Sequence, residues 1–364
     1  MYRYIGNKSR LLQKIITTIR HLAPHGATVA DLMCGTGTVA EGLRASGYRV
    51  IASDIMTYAV HHARVRLLLS AAPAFASLKL GSYDKVLEWL QARPGHDGFF
   101  FREYSPGGEP KVGVPPRKYF ASENARKIDT INKIINEWQS GGKLSENEHA
   151  LLRHDLILAA NRVANIAGTY GHYRSSWNRA SLAPLRLKPS NFLWGYRTDH
   201  VVMQGRAEEL AASVSADVAY LDPPYMKRQY AANYHLIETL ARGDEPLAIG
   251  VSGLRAWRDQ YSNFCTKTKI IPSFEDILSK MNCRVFVLSY SEDGLLKKDQ
   301  LLSLLQKYGD VECREVPFNR FRSTSSNLGI MVKEYLFVVN RTMETKAFAS
   351  GQPILQPLHV ADPM

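Results

Sequence analysis

The spacing of apolar positions gives the start of this chain a repeating rhythm of strands and helices. Leu11, Leu12, Ile15, Ile16 and Ile19 recur at helical intervals, which predicts a helix over residues 9–22 with Ser9 as its N-cap. Residues 28–33 form a short apolar run that reads as a strand leading into Cys34-Gly35-Thr36-Gly37. A helix over 38–46 closed by Gly47, a strand over 49–53 ending at Asp54, and a helix over 58–69 follow. This β-α-β-α opening predicts an α/β protein with a doubly wound, Rossmann-like sheet.

The rhythm then breaks. Pro73, Pro94-Gly95, Pro106-Gly107-Gly108 and Pro115-Pro116 punctuate a loop-rich stretch, and helical patterning returns over 122–140 and 145–167. Strand patterning resumes at Val201-Val202-Met203 and at residues 217–221, which lead into Asp222. The gap between Asp54 and Asp222 far exceeds the ~30 residues of one βαβ unit. A mainly helical segment, residues 73–200, is therefore expected as an insertion into a catalytic domain made of residues 1–72 and 201–340. After Asp222 come a helix over 233–241, a polar stretch, a strongly apolar strand over 284–290 and a helix over 298–308. Strands over 311–316 and 335–339 are close enough to pair as an antiparallel hairpin around a long basic loop, and residues 341–364 read as an irregular tail.

Composition sharpens this picture in three ways. A length of 364 residues suggests roughly two domains, and 45% hydrophobic with 22% charged residues marks a folded globular chain. The net charge of +12 makes a polyanionic partner the natural expectation. Cys34, Cys265, Cys283 and Cys313 are scattered without a CxxC pair, which argues against a zinc ribbon or a disulfide framework and fits a reducing cytoplasm. No apolar signal core follows Met1, and no run approaches ~18 consecutive apolar residues. A cytoplasmic monomer without metal or membrane association is the expectation.

Two stretches carry candidate chemistry. Gly35-x-Gly37 stands between a strand and a helix, where glycine lets the backbone approach a ligand closely, and Ala40 completes a loose G-x-G-x-x-A. Asp54, at the next strand end, is placed for a ribose diol, so an adenosine-type ligand is predicted at the carboxyl ends of the first strands. This pattern alone leaves NAD and S-adenosylmethionine both open. Asp222-Pro223-Pro224-Tyr225 sits where a buried strand ends. The two prolines remove backbone donors and hold the chain extended. A carboxylate, free carbonyls and an aromatic face are thus presented together, a set suited to gripping a flat ring that bears an amino group.

Taken in order, these segments resemble the D12-class N6-adenine-specific DNA methyltransferases, the DNA adenine methylase family, and within it the type II and type IIS restriction–modification methylases. The series runs Tyr4-Ile-Gly6-Asn-Lys8, Asp31-Leu-Met-Cys-Gly-Thr-Gly37, the insertion, then Asp222-Pro-Pro-Tyr225. Tyr119 to Ala125 with Lys127-Ile-Asp129, Ala164 to Gly171, Gln229-Tyr230, Asn233 to Thr239 and Leu288-Ser-Tyr-Ser291 extend it. The resemblance implies that Tyr4, Gly6, Lys8, Asp31, Gly35, Gly37, Asp54 and Asp222 line the S-adenosylmethionine site. It also implies that Asp222, Pro223, Pro224 and Tyr225 form the catalytic set that holds the target adenine. Two departures stand out. Met33 replaces the usual Phe, a thioether for an aromatic contact, and Gln204-Gly205-Arg206 lies where an acidic residue is common, so no adenine-ring contact is assigned there.

Residues 156–198 contain no acidic side chain, while aromatic and basic residues alternate through them. Arg162, Tyr170, His172, Arg174, Trp177 and Arg179, with Arg320 and Arg322 in the late loop, are the candidate contacts to double-stranded DNA. An NAD-dependent dehydrogenase would leave the tetrad and these cations unexplained. An idle DNA-binding regulator should show a degraded tetrad. An N4-cytosine or RNA methyltransferase is the nearest alternative, since the related cytosine enzymes more often carry Ser at the first tetrad position. No nuclease signature is evident, so a cognate restriction endonuclease would be a separate protein.

Overall fold

A computed structural model describes Gly6, residues 8–319 and residues 331–341. Seven strands make one sheet: β1 (Thr28–Asp31), β2 (Arg49–Asp54), β3 (Val201–Gln204), β4 (Ser215–Leu221), β5 (Asn282–Ser291), β6 (Asp310–Asn319) and β7 (Met331–Asn340). Their order is β3-β2-β1-β4-β5-β7-β6; β7 pairs antiparallel with both β5 and β6, and the other pairings are parallel. The order reverses between β1 and β4, and ligands of open α/β sheets bind beyond the carboxyl ends of the strands at such a switch point. Asp31, Asp54 and Asp222 all stand there. The expected doubly wound sheet and late hairpin are present, while the basic loop of that hairpin lies outside the described residues.

The helices are α1 (Leu12–Leu22), α2 (Thr38–Ala45), α3 (Thr57–Leu68), α4 (Tyr83–Ala92), α5 (Phe99–Tyr104), α6 (Ser122–Ser140) and α7 (Glu146–Val163). Then come α8 (Arg179–Leu182), α9 (Ala207–Leu210), α10 (Tyr230–Asn233), α11 (His235–Arg242), α12 (Ile270–Lys280) and α13 (Lys298–Leu305). Leu11, not Ser9, stands at the N-cap of α1. The cap of α7 is a reciprocal Ser145–Glu148 box, and the helix stops at Val163, short of the expected 167. The sequence reading missed α4 and α5 in the supposed loop-rich stretch and α12 in the supposed polar one.

Helices α1 and α2, with the inner side of α3, bury one apolar face of the sheet. α12 and α13 cover the other. The inserted helices α4 to α7 do not stand apart: their aromatic and aliphatic core is continuous with the outer side of α3 and with α11. Buried Arg44 on α2 fastens both ends of the insertion. Its guanidinium donates to the carbonyls of Arg66 (2.6 Å) and Leu69 (2.8 Å) on the way out, and of Leu193 (3.2 Å) and Arg197 (3.1 Å) on the return.

Candidate active site

The site is a cleft at the switch point, lined by the ends of β1, β2 and β4 and flanked by α10 and the 260–264 segment. Its floor is the turn after β1. Gly35 and Gly37 take φ of 53° and 74°, the left-handed region that glycine enters without steric cost. A Cβ on Gly37 would also meet the Arg66 side chain at 2.9 Å. Asp54 ties this turn down. One carboxylate oxygen accepts from the Gly35 amide (2.8 Å) and the other from the Met56 amide (2.9 Å). Each oxygen keeps a lone pair for a ligand hydroxyl. Burial pushes the Asp54 carboxyl up to about 6, against the lowering effect of those two amides.

Asp31 is a different case. It is 1% exposed, and neither oxygen makes a hydrogen bond of good geometry, although the Met33 amide lies near enough to favour the ionised form. Burial, and then the charges of Asp222 and Asp54, push its carboxyl well above the ordinary value. A buried carboxylate in want of a partner, facing a cavity, suits a cationic ligand group.

Asp222 follows β4, and its side chain is half-buried against Lys8. The Lys8 ammonium lies 3.2 Å from Asp222 Oδ1 and 3.3 Å from Glu334 Oε2 on β7, while Lys8 and Glu334 are each only 4% exposed. Burial disfavours the Lys8 charge, but the two carboxylates outweigh it and raise the ammonium above its usual range. Burial also raises the Asp222 carboxyl to about 6, with Lys8 pulling it down and Glu334 pushing it up. Tyr225 is braced by an edge contact to Tyr290 (5.9 Å between centroids), and its carbonyl accepts from the Leu295 amide at 2.9 Å. Lys8 sits 5.5 Å from the Tyr225 ring centre. One cavity therefore gathers Gly6, Lys8, Asp31, Gly35, Asp54 and the whole tetrad, while Gly37 shapes the turn without lining it. Tyr4 lies outside the described residues.

Sequence reasoning missed Glu334, Gln260 and Phe264. Gln260 donates to the Ile55 carbonyl (3.0 Å) and to Glu238 (2.6 Å), and Glu238 in turn accepts from the Thr57 and Tyr58 amides. No local motif marks Glu334, Gln260 or Phe264.

The cationic segment abuts this cavity. The Tyr170 amide donates to the Asn233 carbonyl at 2.8 Å, and α10, which ends at Asn233, also carries cavity-lining Tyr230. Arg162, His172, Arg174 and Arg179 are exposed and Trp177 is half-buried. Tyr170 is a correction. It is fully buried, its hydroxyl accepts from Asn161 (3.2 Å), and its carbonyl accepts from Tyr119 (2.9 Å). It belongs to the core and does not face DNA. Arg320 and Arg322 lie outside the described residues. No group of three or more His, Cys, Asp or Glu side chains among the described residues is arranged to hold a metal.

A glycine turn thus lies under an acid-lined cavity at the switch point, with an Asp-Pro-Pro-Tyr edge over it. The family is explicit: residues 4–304 match the D12 class N6 adenine-specific DNA methyltransferase model, and the chain belongs to that family. Type II methyltransferase M.NlaIII of Neisseria lactamica is 30% identical over 93% of this chain and 99% of its own length. Type II methyltransferase M.FokI of Planomicrobium okeanokoites is 31% identical over 93% of this chain. Modification methylase StsI of Streptococcus sanguinis is 28% identical over 98%. The chain spans only about half of these last two relatives, 52% and 54% of their lengths.

Proposed function

We propose that this chain transfers a methyl group from S-adenosylmethionine to N6 of an adenine flipped out of duplex DNA, as the modification enzyme of a restriction–modification system. The observation that carries the reading is Asp222: one oxygen is engaged by Lys8, and the carboxylate stands at the rim of a cavity that Asp31, Asp54 and Glu208 also line. The residues fit the cofactor. Asp31 lacks a partner for its buried charge, Asp54 retains acceptor capacity for ribose hydroxyls, and Gly35 and Gly37 leave room at the turn.

When bound, S-adenosylmethionine supplies an electrophilic methyl on a positively charged sulfur. The chain's task is to make a poor nucleophile attack. The N6 lone pair of adenine is delocalised into its ring. Asp222 and the Pro223 carbonyl, accepting the two N–H bonds, favour a pyramidal nitrogen with its lone pair localised. Tyr225 offers its face to the ring, and stacking returns ~1–3 kcal/mol of the unstacking cost. On gaining the methyl group the nitrogen would have one proton to shed. A carboxylate titrating at about 6 is matched to receive it and pass it to water.

Residues 73–200 serve as the target-recognition unit on the catalytic unit of residues 1–72 and 201–340. Arg162, Arg174 and Arg179 offer cations to phosphates beside the cavity, and His172 offers a ring nitrogen for hydrogen bonding. The enzyme works as a cytoplasmic monomer. Incubation with labelled S-adenosylmethionine and genomic duplex DNA, followed by single-molecule mapping of modified bases, tests the proposal. N6-methyladenine at one short motif is expected, absent in Asp222→Ala, which retains DNA binding. N4-methylcytosine would overturn the base assignment, and no transfer to any DNA would overturn the function.

A further inference from the structure

The Lys8 ammonium is shared between two carboxylates of different standing. Asp222 lines the cavity and is 17% exposed at its side chain, whereas Glu334 sits behind it on β7 at 4% and lines no part of that cavity. Glu334 is therefore out of reach of any ligand there, yet it is the second partner of the group that holds Asp222. We propose that Glu334 is a positioning residue of the transfer reaction: it draws Lys8 back by a second ion pair, so that the ammonium engages one oxygen of Asp222 and compensates only part of its charge. This rests on the methyltransferase reading above.

The geometry explains why two acids are used for one lysine. A Lys8–Asp222 pair alone would neutralise the carboxylate, weaken it as an acceptor for an amino group and leave the lysine free to swing into the cavity. With Glu334 present the trio carries a net charge of about −1 in a low-dielectric setting, where an uncompensated acceptor is strongest. Lys8 is held from two sides, so Asp222 Oδ1 is fixed and Oδ2 is left for the substrate. The other groups facing Asp222 are Asp31 on β1, Tyr220 on β4, Tyr225 in the tetrad and Tyr230 on α10. Among these, Asp31 is the one carboxylic acid, and it sits at the cofactor floor. The raised Asp222 carboxyl agrees with this arrangement: burial is the first cause, Glu334 adds to it, and Lys8 opposes it.

The test is Glu334→Gln, which keeps the shape and an acceptor for Lys8 but removes the charge. Asp222 must be ionised to accept, so transfer falls as pH drops through its pKa. In the variant Lys8 compensates Asp222 alone, and the acid limb of the single-turnover rate should move down by about one pH unit. The plateau rate should fall roughly tenfold as the acceptor weakens. The KM for S-adenosylmethionine should stay within about twofold of wild type. A 13C titration of the Asp222 carboxyl in the ligand-free protein should show the same downward shift. This arm needs no methyl transfer, so it separates failure of the Glu334 role from failure of the methyltransferase reading. An unshifted limb and an unshifted titration, or a rate loss that tracks only lost stability, would overturn the proposal. If Glu334→Gln does not fold, Glu334→Asp carries the test, with its charge withdrawn by one methylene. The limb should then move the same way by a smaller amount, and an unchanged limb would again refute the role.

Discussion

Replacing Asp54 by Asn tests the cofactor floor most directly, because both carboxylate oxygens are already committed to backbone amides. An Asn side chain offers one oxygen and one NH2 group. Either the Gly35 amide, now bonded at 2.8 Å, or the Met56 amide, at 2.9 Å, must face a donor instead of an acceptor. A buried N–H left without a partner costs ~1–3 kcal/mol. That strain falls on the Cys34–Gly37 turn, whose left-handed glycines have no other side-chain tie to β2, and it is relieved by letting the turn move. Cofactor affinity should drop roughly 5- to 150-fold, at about 1.4 kcal/mol per factor of ten. The pH dependence gives a second check. The Asp54 carboxyl titrates at about 6, so wild-type affinity should weaken as pH falls through that value and the carboxylate is lost. The Asn variant lacks this proton, while Asp31 and Asp222 titrate in both proteins. The variant's log affinity should therefore respond to pH with a slope lower by up to one. Calorimetry with S-adenosylmethionine between pH 5 and 8 measures both, with thermal melts to confirm folding. Binding within twofold of wild type at neutral pH, with the same slope, would refute the structural account of Asp54.

Three further expectations concern other parts of the molecule. Substituting Arg174 and Arg179 together by Ser should weaken DNA binding and make the plot of log affinity against log salt shallower by about two, one phosphate contact each; an unchanged slope would remove this segment from the interface. Arg44→Met deprives four backbone carbonyls of their donor at the two ends of the insertion and should cost about 3–5 kcal/mol in urea unfolding, whereas a loss below 1 kcal/mol would mean water replaces the guanidinium. His62 and His154 meet at 2.7 Å between Nδ1 atoms in the α3–α7 interface, and burial first of all lowers both, His154 to about 3. Their folded values lie below the unfolded one near 6.5, so this stability is present above pH 6.5 and lost as pH falls toward 3. His154→Gln should flatten the stability curve in that window by up to ~1.4 kcal/mol per pH unit, and parallel curves would contradict it.

What could be read from sequence follows from how local the governing physics is. The β1–α2–β2–α3 opening was legible because each element carries its own periodicity and each boundary its own glycine or acid. The tetrad was legible because two prolines after a buried strand leave few backbone choices. Residues 83–104 were not, since prolines and glycines on either side suggested a loop, and Phe99-Phe100-Phe101 is a solid apolar block with no 3.6-residue period. α12 was hidden by Pro272, which a helix accepts in its first turn. Tyr170 was misplaced because alternating aromatic and basic residues do not say which side chains turn inward. Glu334 was invisible for a different reason. It lies 326 positions from Lys8, and the two meet only because β7 returns antiparallel beside β5.

The distribution of charge has an experimental consequence. The chain as a whole carries +12, yet its cavity holds Asp31, Asp54, Glu208 and Asp222 against Lys8 and Arg206. Outside, the arginines proposed to meet DNA are exposed to water, and mobile ions screen charges beyond about 10 Å at 0.1 M salt. Inside, Asp31 and Asp54 are buried, and dissolved ions reach them poorly. Ionic strength should therefore act as a valve on one ligand alone: raising it should strip the enzyme from DNA while leaving it charged with cofactor, so that the two binding steps can be titrated apart in a single protein.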